Sequence, residues 1–430
     1  MQVRAGEFSA GGATGLLTVP CGGGVPDLVV FFGANQPGSA TGANLGLFFG
    51  LAFRDEANPA ALLNHSWFQM PNLSGGNSHI VTNSAFVSRA TPNGAVTLDA
   101  HIVSFDPGSF TLNISTAGGA RTIRYLAISV ADEVPLGRGH AGGAKVLPTS
   151  LDIGFRARSA IGLHAWDDDA LDGLFDTGYA IGAGNAPTGA LFVGAGVGSY
   201  PVGGGGNLGG GFSSSYQYQA SLRSWVSSLA VPNLFRADSI GAIINTIVGG
   251  TRDCAPSSPT AVTLPTSAPA DTFTTAAWFD GESSIGLFTP PATLDGVAGP
   301  LDVQTHNPNL GNVGAVLWMI GAPYRGSGSP ANGRVPAAGF GLWTPTYQGC
   351  VFVDGDAQTL YQSSTRSWCV SAQAAGATAG VTEVSDGSLI SIRTTEVGGP
   401  AFDSGIVAFA LGGRKLVAPI PAIYRRIRSY

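Results

Sequence analysis

Short apolar segments recur along the chain, separated by clusters of glycine, proline, asparagine and serine. In FTLNIS, the apolar residues Phe110, Leu112 and Ile114 alternate with polar ones. Alternation with a period of two, bounded by turn residues, is typical of an antiparallel strand with one buried face. The segments DPGS (106–109) and DGES (280–283) have residues that tight turns favour. The pattern therefore predicts an all-β protein.

One block pattern occurs three times in the same order. An apolar run ending in Gly-Ala lies at 25–34 (VPDLVVFFGA), 186–195 (APTGALFVGA) and 313–322 (VGAVLWMIGA). A second block lies at 44–49, 207–212 and 339–344, and a third at 103–114, 277–288 and 384–392. Blocks that recur in a fixed order indicate copies of one supersecondary unit. We align the three runs without a gap, so that Gly33, Gly194 and Gly321 are expected to be equivalent.

The repeats predict three tandem antiparallel β-sandwich modules of jelly-roll type with long loops. The expected boundaries are 1–133, 134–305 and 306–430, the last with a basic C-terminal tail. The second module has the loosest match, with two insertions, at 198–206 and 254–270, expected to be exposed loops or arms that contact other subunits. Segment 234–248 has apolar spacing that fits a helix, but it aligns with a strand-like segment, so both alternatives stay open.

Composition narrows the classes of function. Charged residues are only 11% of the chain, whereas glycine occurs 64 times and proline 27 times, which favours turns and strands over helices. A surface with so little charge is best tolerated where it is buried against other subunits, so we expect a homo-oligomer. The net charge of −6 argues against nucleic acid as a partner.

The sequence also argues against membrane insertion and export. No apolar run approaches the roughly 20 residues of a membrane span, and the first residues, MQVRAGEFSAGG, lack the apolar segment of a signal peptide. The four cysteines are too few for a disulfide scaffold in a chain of this length. Cys350 and Cys369 could form a disulfide across neighbouring strands, although buried free thiols are the preferred interpretation.

Two Asp-Thr/Ser-Gly triplets provide the sharpest catalytic hypothesis. Asp176 and Asp403 each begin such a triplet after a phenylalanine, and two-lobed aspartic peptidases use a pair of these triplets to activate a water. The residues that follow, Tyr179 and Ile406, are larger than those of the peptidases, and the triplets fall at unlike places in the repeats. We therefore expect no catalytic residues and no enzyme activity.

Other motifs also have weak support. The stretch Asp167–Asp176 (DDDALDGLFD) offers clustered carboxylates for Ca²⁺, but its spacing departs from the EF-hand, and a solvated turn is the preferred interpretation. The six histidines show no pair at metal-ligand spacing, and the GxGxxG match at 204–209 lacks a following helix. No cofactor and no metal are therefore expected.

Two tryptophans are candidates for sugar binding. Trp67 and Trp368 lie outside the repeated blocks, beside polar segments. An aromatic plane can stack on the apolar face of a sugar ring, but burial in the core or in a subunit contact is the preferred interpretation. The ligand-binding residues, if there are any, remain unknown at this stage.

The block order resembles a module of tailed-bacteriophage structural proteins, with a PDLVVFFG-like strand, a VSFDPGSFTLN-like hairpin and a YLAIS-like closing strand. The order is also similar to that of H-type lectin domains, which are six-stranded sandwiches that form trimers and bind sugars. The first unit matches over about 120 residues, but none of the family's sugar-binding residues maps onto this sequence. The resemblance implies three fused copies that form a pseudo-trimer in one chain.

These observations predict a surface protein of a phage or phage-like particle, located at a tail tip, fibre or head spike. Its expected partners are other copies of the chain, other virion proteins and, for host attachment, a cell-surface glycan. It would be part of the virion and assemble in the host cytoplasm. The alternatives are a soluble glycan-binding lectin or adhesin, a capsid decoration protein, and a peptidase or glycan depolymerase.

Overall fold

The computed structural model describes 21 segments of the chain. These are 1–54, 61–70, 78–91, 94–130, 151–152, 159–167, 178–185, 193–202, 211–220, 223–224, 255–256, 261–263, 271–288, 290–291, 293–298, 310–322, 337–354, 358–373, 376–385, 389–398 and 406–414. Within them the regular structure is entirely β, with antiparallel pairing in every sheet and no helix. This confirms the predicted all-β class. Segment 234–248 lies outside the described residues.

Eleven strands lie in the first third of the chain. They are β1 (Gln2–Ala10), β2 (Gly15–Pro20), β3 (Leu28–Ala34), β4 (Ala40–Thr41), β5 (Leu47–Arg54), β6 (Leu62–Met70), β7 (Ser78–Thr82), β8 (Phe86–Arg89), β9 (Val96–Asp106), β10 (Ser109–Ala117) and β11 (Arg121–Ser129). All but β4 form two sheets. Large sheet 1 has the order β1-β11-β3-β5-β6-β7, and small sheet 1 has the order β2-β10-β9-β8.

Nine strands follow in the middle of the chain. They are β12 (Leu151–Asp152), β13 (Ser159–Asp167), β14 (Gly178–Asn185), β15 (Val193–Val202), β16 (Gly211–Ala220), β17 (Arg223–Ser224), β18 (Ala255–Pro256), β19 (Ala261–Thr263) and β20 (Asp271–Phe279). Large sheet 2 has the order β17-β16-β15-β14-β13-β20, and small sheet 2 has the order β12-β19-β18.

The last ten strands form the third pair of sheets. They are β21 (Glu282–Phe288), β22 (Val297–Ala298), β23 (Leu310–Ala322), β24 (Ala337–Thr344), β25 (Tyr347–Asp354), β26 (Thr359–Ser363), β27 (Trp368–Gln373), β28 (Gly376–Ser385), β29 (Leu389–Glu396) and β30 (Ile406–Arg414). Large sheet 3 has the order β21-β30-β23-β24-β25-β26-β4, so that β4 comes from the first third of the chain. Small sheet 3 has the order β22-β29-β28-β27.

The first and third pairs of sheets have the same strand order. Replacing β1, β11, β3, β5, β6 and β7 by β21, β30, β23, β24, β25 and β26 converts large sheet 1 into large sheet 3, apart from the added β4. Replacing β2, β10, β9 and β8 by β22, β29, β28 and β27 converts small sheet 1 into small sheet 3 in the same way. In the middle of the chain, the order β20-β13-β14-β15-β16 corresponds to β11-β3-β5-β6-β7 of large sheet 1. The order β12-β19-β18 corresponds to β2-β10-β9 of small sheet 1.

Each large sheet of the first and third pairs has two apolar faces, because apolar residues occupy both sides of its central strands. In β3, Val29 and Phe31 pack with residues of small sheet 1, whereas Val30 and Phe32 point to the opposite side. Trp318 of β23 packs likewise with residues of small sheet 3. Strands that are buried on both faces read as continuous apolar runs, as DLVVFFG does.

The opposite faces of the large sheets meet in one central cluster. It includes Phe32 and Phe49 from large sheet 1, Ile161 from large sheet 2 and Phe340 from large sheet 3, all fully buried. The ring of Phe340 lies 4.9 Å from that of Phe49 and 6.1 Å from that of Phe32. Side chains from three sheets thus share one core.

The structure corrects the predicted alignment of the first and third repeats by one residue. Phe31 lies opposite Gly50, and Trp318 lies opposite Gly341. A Cβ atom at Gly50 would collide with the backbone carbonyl of Ala85, directly before β8, and one at Gly341 with that of Ser367, directly before β27, which identifies these two pairs as equivalent. Gly321 therefore does not correspond to Gly33. The gapless alignment pairs Phe31, which packs with small sheet 1, with Met319, which belongs to the central cluster. These residues lie on opposite faces of their sheets, because a slip of one residue exchanges the two faces of a strand.

The second repeat is also placed differently. The strand that corresponds to β3 is β13, whereas segment 186–195, with Gly194, leads into β15. Segment 277–288 is not a hairpin, because β20 pairs with β13 and β21 pairs with β30. Asp280 and Gly281 only join these two strands.

Strands β21 and β22 precede residue 306 but belong to the third pair of sheets, which therefore begins at Glu282. The two segments expected to be loops, 198–206 and 254–270, contain the end of β15 and the strands β18 and β19. The predicted turn at 106–109 is confirmed, since Asp106 pairs with Ser109 and Gly108 has a φ of 71°.

Candidate interaction site

Most residues that the sequence singled out for catalysis or metal binding lie outside the described residues. This applies to Asp176, to Asp403, to all but the first residue of Asp167–Asp176, and to 204–209. Asp167 itself ends β13. Among the described side chains, no group of three or more His, Cys, Asp or Glu residues is arranged to hold a metal ion.

The two tryptophans proposed for sugar stacking are core residues. Trp67 is 1% exposed and belongs to the central cluster, and Trp368 is fully buried between large sheet 3 and small sheet 3. The indole Nε1 of Trp368 donates a hydrogen bond to the carbonyl of Val381. Neither ring is accessible to a ligand from solution. Cys350 and Cys369 are not joined by a disulfide, and both are buried, as the preferred interpretation predicted.

The main polar site in the described residues lies where large sheet 1 meets large sheet 3. At its centre is Arg124 of β11, which is 1% exposed. Its guanidinium donates to Gln362 Oε1 at 3.2 Å and to the carbonyl of Ser363 at 3.1 Å. These two acceptors belong to β26, more than 200 residues away in the chain. A buried charge is tolerated only when hydrogen bonds and an opposite charge compensate it.

The opposite charge is Glu7 of β1. Its Oε2 lies 3.8 Å from Nε of Arg124, which is an ion pair but too long for a hydrogen bond. The carboxylate also accepts hydrogen bonds from the Tyr347 hydroxyl at 3.0 Å and from the Ser364 hydroxyl at 2.7 Å and 2.8 Å. Burial raises the pKa of Tyr347 far above its ordinary value, and Glu7 acts in the same direction while Arg124 opposes it. The phenol therefore stays a donor.

Strand β4 extends the same contact. Ala40 and Thr41 pair with Leu360 and Thr359, so β4 covers the edge of β26. The side chain of Gln362 also donates to the carbonyls of Gln36 at 2.9 Å and Gly38 at 3.1 Å. The segment between β3 and β5 is thus fixed to the other sheet by its backbone.

The other two pairs of large sheets meet through different residues. His65 of β6 contacts Thr275 of β20, and both are buried. Ser159 of β13 donates to the carbonyl of Gly281 at 2.7 Å and lies 2.5 Å from the Ser283 hydroxyl of β21. Because the single proton of Ser159 goes to Gly281, Ser283 must be the donor in the second bond.

A second polar group lies on the solvent side of small sheet 1. Asp99 accepts hydrogen bonds from the hydroxyls of Ser84 and Ser115, and Nε2 of His101 lies 3.4 Å from its Oδ2. Nδ1 of His101 lies 3.1 Å from the carbonyl of Asn83. A Ser-His-Asp catalytic triad needs a base bonded to the nucleophile. Here the serines bond to the carboxylate instead, so the group is a fixed set of polar atoms.

Two exposed aliphatic residues occupy equivalent positions on outermost strands. Leu16 of β2 lies opposite Asn113, and Val297 of β22 lies opposite Arg393. Asn113 and Arg393 match because the residues after them lie opposite Ala100 and Gly380, respectively. The carbonyls of Ala100 and Gly380 accept corresponding hydrogen bonds from the backbone N–H groups directly before β8 and β27. Leu16 is 75% exposed and Val297 is 60% exposed.

Sequence reasoning missed the site around Arg124. Its segment, RTIRYLAIS, fits a strand, but nothing in it reveals a partner in a distant segment. One signal was available, because the arginine interrupts the apolar side of a strand in a chain with only 11% charged residues. A charge in such a position indicates a buried partner.

Comparison of the sequence with protein-family models and with curated proteins gave no match. A search of the described residues found no helix long and apolar enough to cross a membrane.

Proposed function

We propose that the chain is a structural protein of a phage or phage-like particle, exposed at a tail tip, fibre or spike, where it acts in assembly and host attachment. In this proposal it consists of three tandem β-sandwich modules, each with one large and one small sheet. Module 1 comprises β1–β11, module 2 comprises β12–β20 and module 3 comprises β21–β30. The repeated strand order of the sheets supports this division.

The contacts between large sheets support a closed ring of modules. Module 1 presents β1 and β11 to β25 and β26 of module 3. Module 2 presents β20 to β6 of module 1, and module 3 presents β21 and β23 to β14, β15 and β16 of module 2. Each module thus presents one edge, its donor edge, to one neighbour. The opposite edge, its acceptor edge, receives the donor edge of the other neighbour. Such head-to-tail contacts close into a ring after three steps when the rotation fits.

A ring of three similar modules suits a role in a particle better than a role as a free enzyme, because the ring offers repeated surfaces to repeated partners. The exposed pair Leu16 and Val297 is the observation that carries this argument, since both modules display an aliphatic side chain at the same place. Neither β2 (GLLTVP) nor β22 (VA) contains a charged residue, although charges commonly protect outermost strands from association.

The test is to locate the chain in purified particles. We expect it to co-sediment with them in a fixed copy number, and an antibody raised against it to bind intact particles and to reduce adsorption to host cells. A chain carrying Leu16→Ser and Val297→Ser should fold normally but incorporate poorly. Recovery of the native chain only from the soluble fraction of the lysate would refute the proposal.

A glycan-binding lectin is a second candidate, and the polar group around Asp99 favours it. Hydroxyl, carboxylate and imidazole groups held on a rigid sheet can each bond to sugar hydroxyls. The isolated chain would be applied to a glycan array, with Asp99→Ala as the matched variant. Saturable binding that Asp99→Ala abolishes would favour a lectin, and absence of binding by the native chain would exclude this role for the group.

A further inference from the structure

We propose that residue pairs at one repeated position of the ring determine which modules become neighbours, and that Arg124 prevents module 1 from associating with a second copy of itself. This inference rests on the three-module arrangement proposed above, and it does not depend on a place in a particle. It assigns a role in partner selection to Arg124, Gly349, Thr275 and His65.

The repeated position follows from the strand pairing. Because Gly50 and Gly341 are equivalent, the next residues, Leu51 and Leu342, are equivalent too. Leu51 lies opposite His65 on β6, and Leu342 lies opposite Gly349 on β25. His65 in module 1 therefore corresponds to Gly349 in module 3, on the acceptor edge of each module.

The donor edge has a corresponding position. Tyr125 lies opposite Phe31, and Ala408 lies opposite Trp318. Since Phe31 and Trp318 are equivalent, Arg124 of module 1 corresponds to Val407 of module 3. In module 2 the corresponding place is that of Thr275, which lies opposite the centrally buried Leu163 of β13 as Arg124 lies opposite the centrally buried Phe32 of β3.

The two interfaces are complementary in size. Between modules 1 and 3, the long Arg124 side chain lies against Gly349, where a Cβ atom would come within 2.2 Å of the Tyr347 hydroxyl oxygen and within 2.9 Å of Nε of Arg124. Between modules 2 and 1, the small Thr275 lies against the large His65. A large residue thus faces a small one in both contacts, but the large one is on the donor edge in the first and on the acceptor edge in the second.

An association of module 1 with a copy of itself would break this complementarity. Arg124 would meet His65 in place of Gly349, and the strand position of Gln362 would be held by Val81, which lies opposite Trp67 as Gln362 lies opposite Val351. Valine offers no side-chain acceptor. The guanidinium would be buried without this acceptor and against an imidazole, which is strongly unfavourable. Specificity between similar partners commonly depends on such repulsive contacts.

A double-mutant cycle in the full chain tests the proposal. Gly349→His places a histidine, the residue type that module 1 has at this position, opposite Arg124. We expect this variant to lower the midpoint of thermal unfolding by roughly 5 °C or more. Arg124→Thr should cause a smaller loss. The double variant recreates the Thr-His pair of the other interface, so its midpoint should lie well above that of Gly349→His.

Controls distinguish the role of Arg124 in partner selection from the contact between modules 1 and 3. Arg124→Thr should not rescue Gly341→Ala, whose collision lies within module 3. If Gly349→His yields no folded chain, Gly349→Ala replaces it, and its loss must shrink in the Arg124→Thr background. Because a Cβ atom at residue 349 would also meet the Tyr347 hydroxyl oxygen, the cycle is repeated in a Tyr347→Ala background. A loss from Gly349→His that Arg124→Thr fails to rescue there would refute the selection role but leave the ring in place. An unchanged midpoint for Gly349→His would refute the contact itself and with it the module arrangement.

Discussion

The contact between Phe49 and Phe340 provides the most direct test that large sheets 1 and 3 share a core. Both rings are fully buried, and their centres lie 4.9 Å apart although they belong to different large sheets. Replacing a buried phenylalanine by alanine costs about 3–5 kcal/mol, so Phe340→Ala should destabilise the chain by that amount. Because the two rings touch, the double variant should lose about 1 kcal/mol less than the sum of the single losses.

The measurement is equilibrium denaturation of the native chain, both single variants and the double variant, followed by tryptophan fluorescence and circular dichroism. Phe86 supplies the matched control, because it is equally buried but packs between large sheet 1 and small sheet 1. Losses from Phe86→Ala and Phe340→Ala should add within about 0.5 kcal/mol. Strict additivity of Phe49→Ala and Phe340→Ala would show that the sheets do not pack as described.

Three further predictions concern backbone packing, thiols and alkaline pH. Gly341→Ala should destabilise the chain strongly because its Cβ would meet a backbone carbonyl, whereas Gly12→Ala, with no atom within 4 Å, should leave the unfolding midpoint unchanged. Burial raises the pKa of Cys350 to about 12, so the native chain and Cys350→Ser should react with equal amounts of a thiol reagent until denaturant is added. A difference between the two chains under native conditions would contradict the burial of Cys350. Burial also raises the pKa of Tyr125 from 10.0 to about 12, and since the unfolded chain loses this proton first, stability should fall as pH rises from 10 to 12. Tyr125→Phe should remove that part of the fall, and an identical pH profile for both chains would contradict it.

Local pattern predicted much of the first pair of sheets. Phe110, Leu112 and Ile114 are all buried, whereas Asn113 and Ser115 between and beyond them are exposed, as the period of two required. The hairpin turn at 106–109 has residues that favour a tight turn by themselves, although Gly108 also forms backbone hydrogen bonds with Cys21, Gly22 and Gly24. Strand character and turns are local properties, so sequence alone could provide them.

Alignment of the repeats could not be predicted with the same success. The Gly-Ala ends of two apolar runs suggested that Gly33 and Gly321 correspond, but glycine is so common here that such matches arise by chance. The true markers are Gly50 and Gly341, whose small size is required by a carbonyl of the facing sheet. That requirement exists only after the sheets have packed. Similarly, Arg124 gains its meaning from Gln362, a partner that no local pattern identifies.

The connection between β20 and β21 has a mechanical consequence. Only Asp280 and Gly281 separate a strand of large sheet 2 from a strand of large sheet 3, and three peptide steps extend to about 10 Å at most. A tensile load applied to large sheet 3 would therefore reach large sheet 2 through the main chain with almost no slack. The two sheets would respond to pulling as one stiff body.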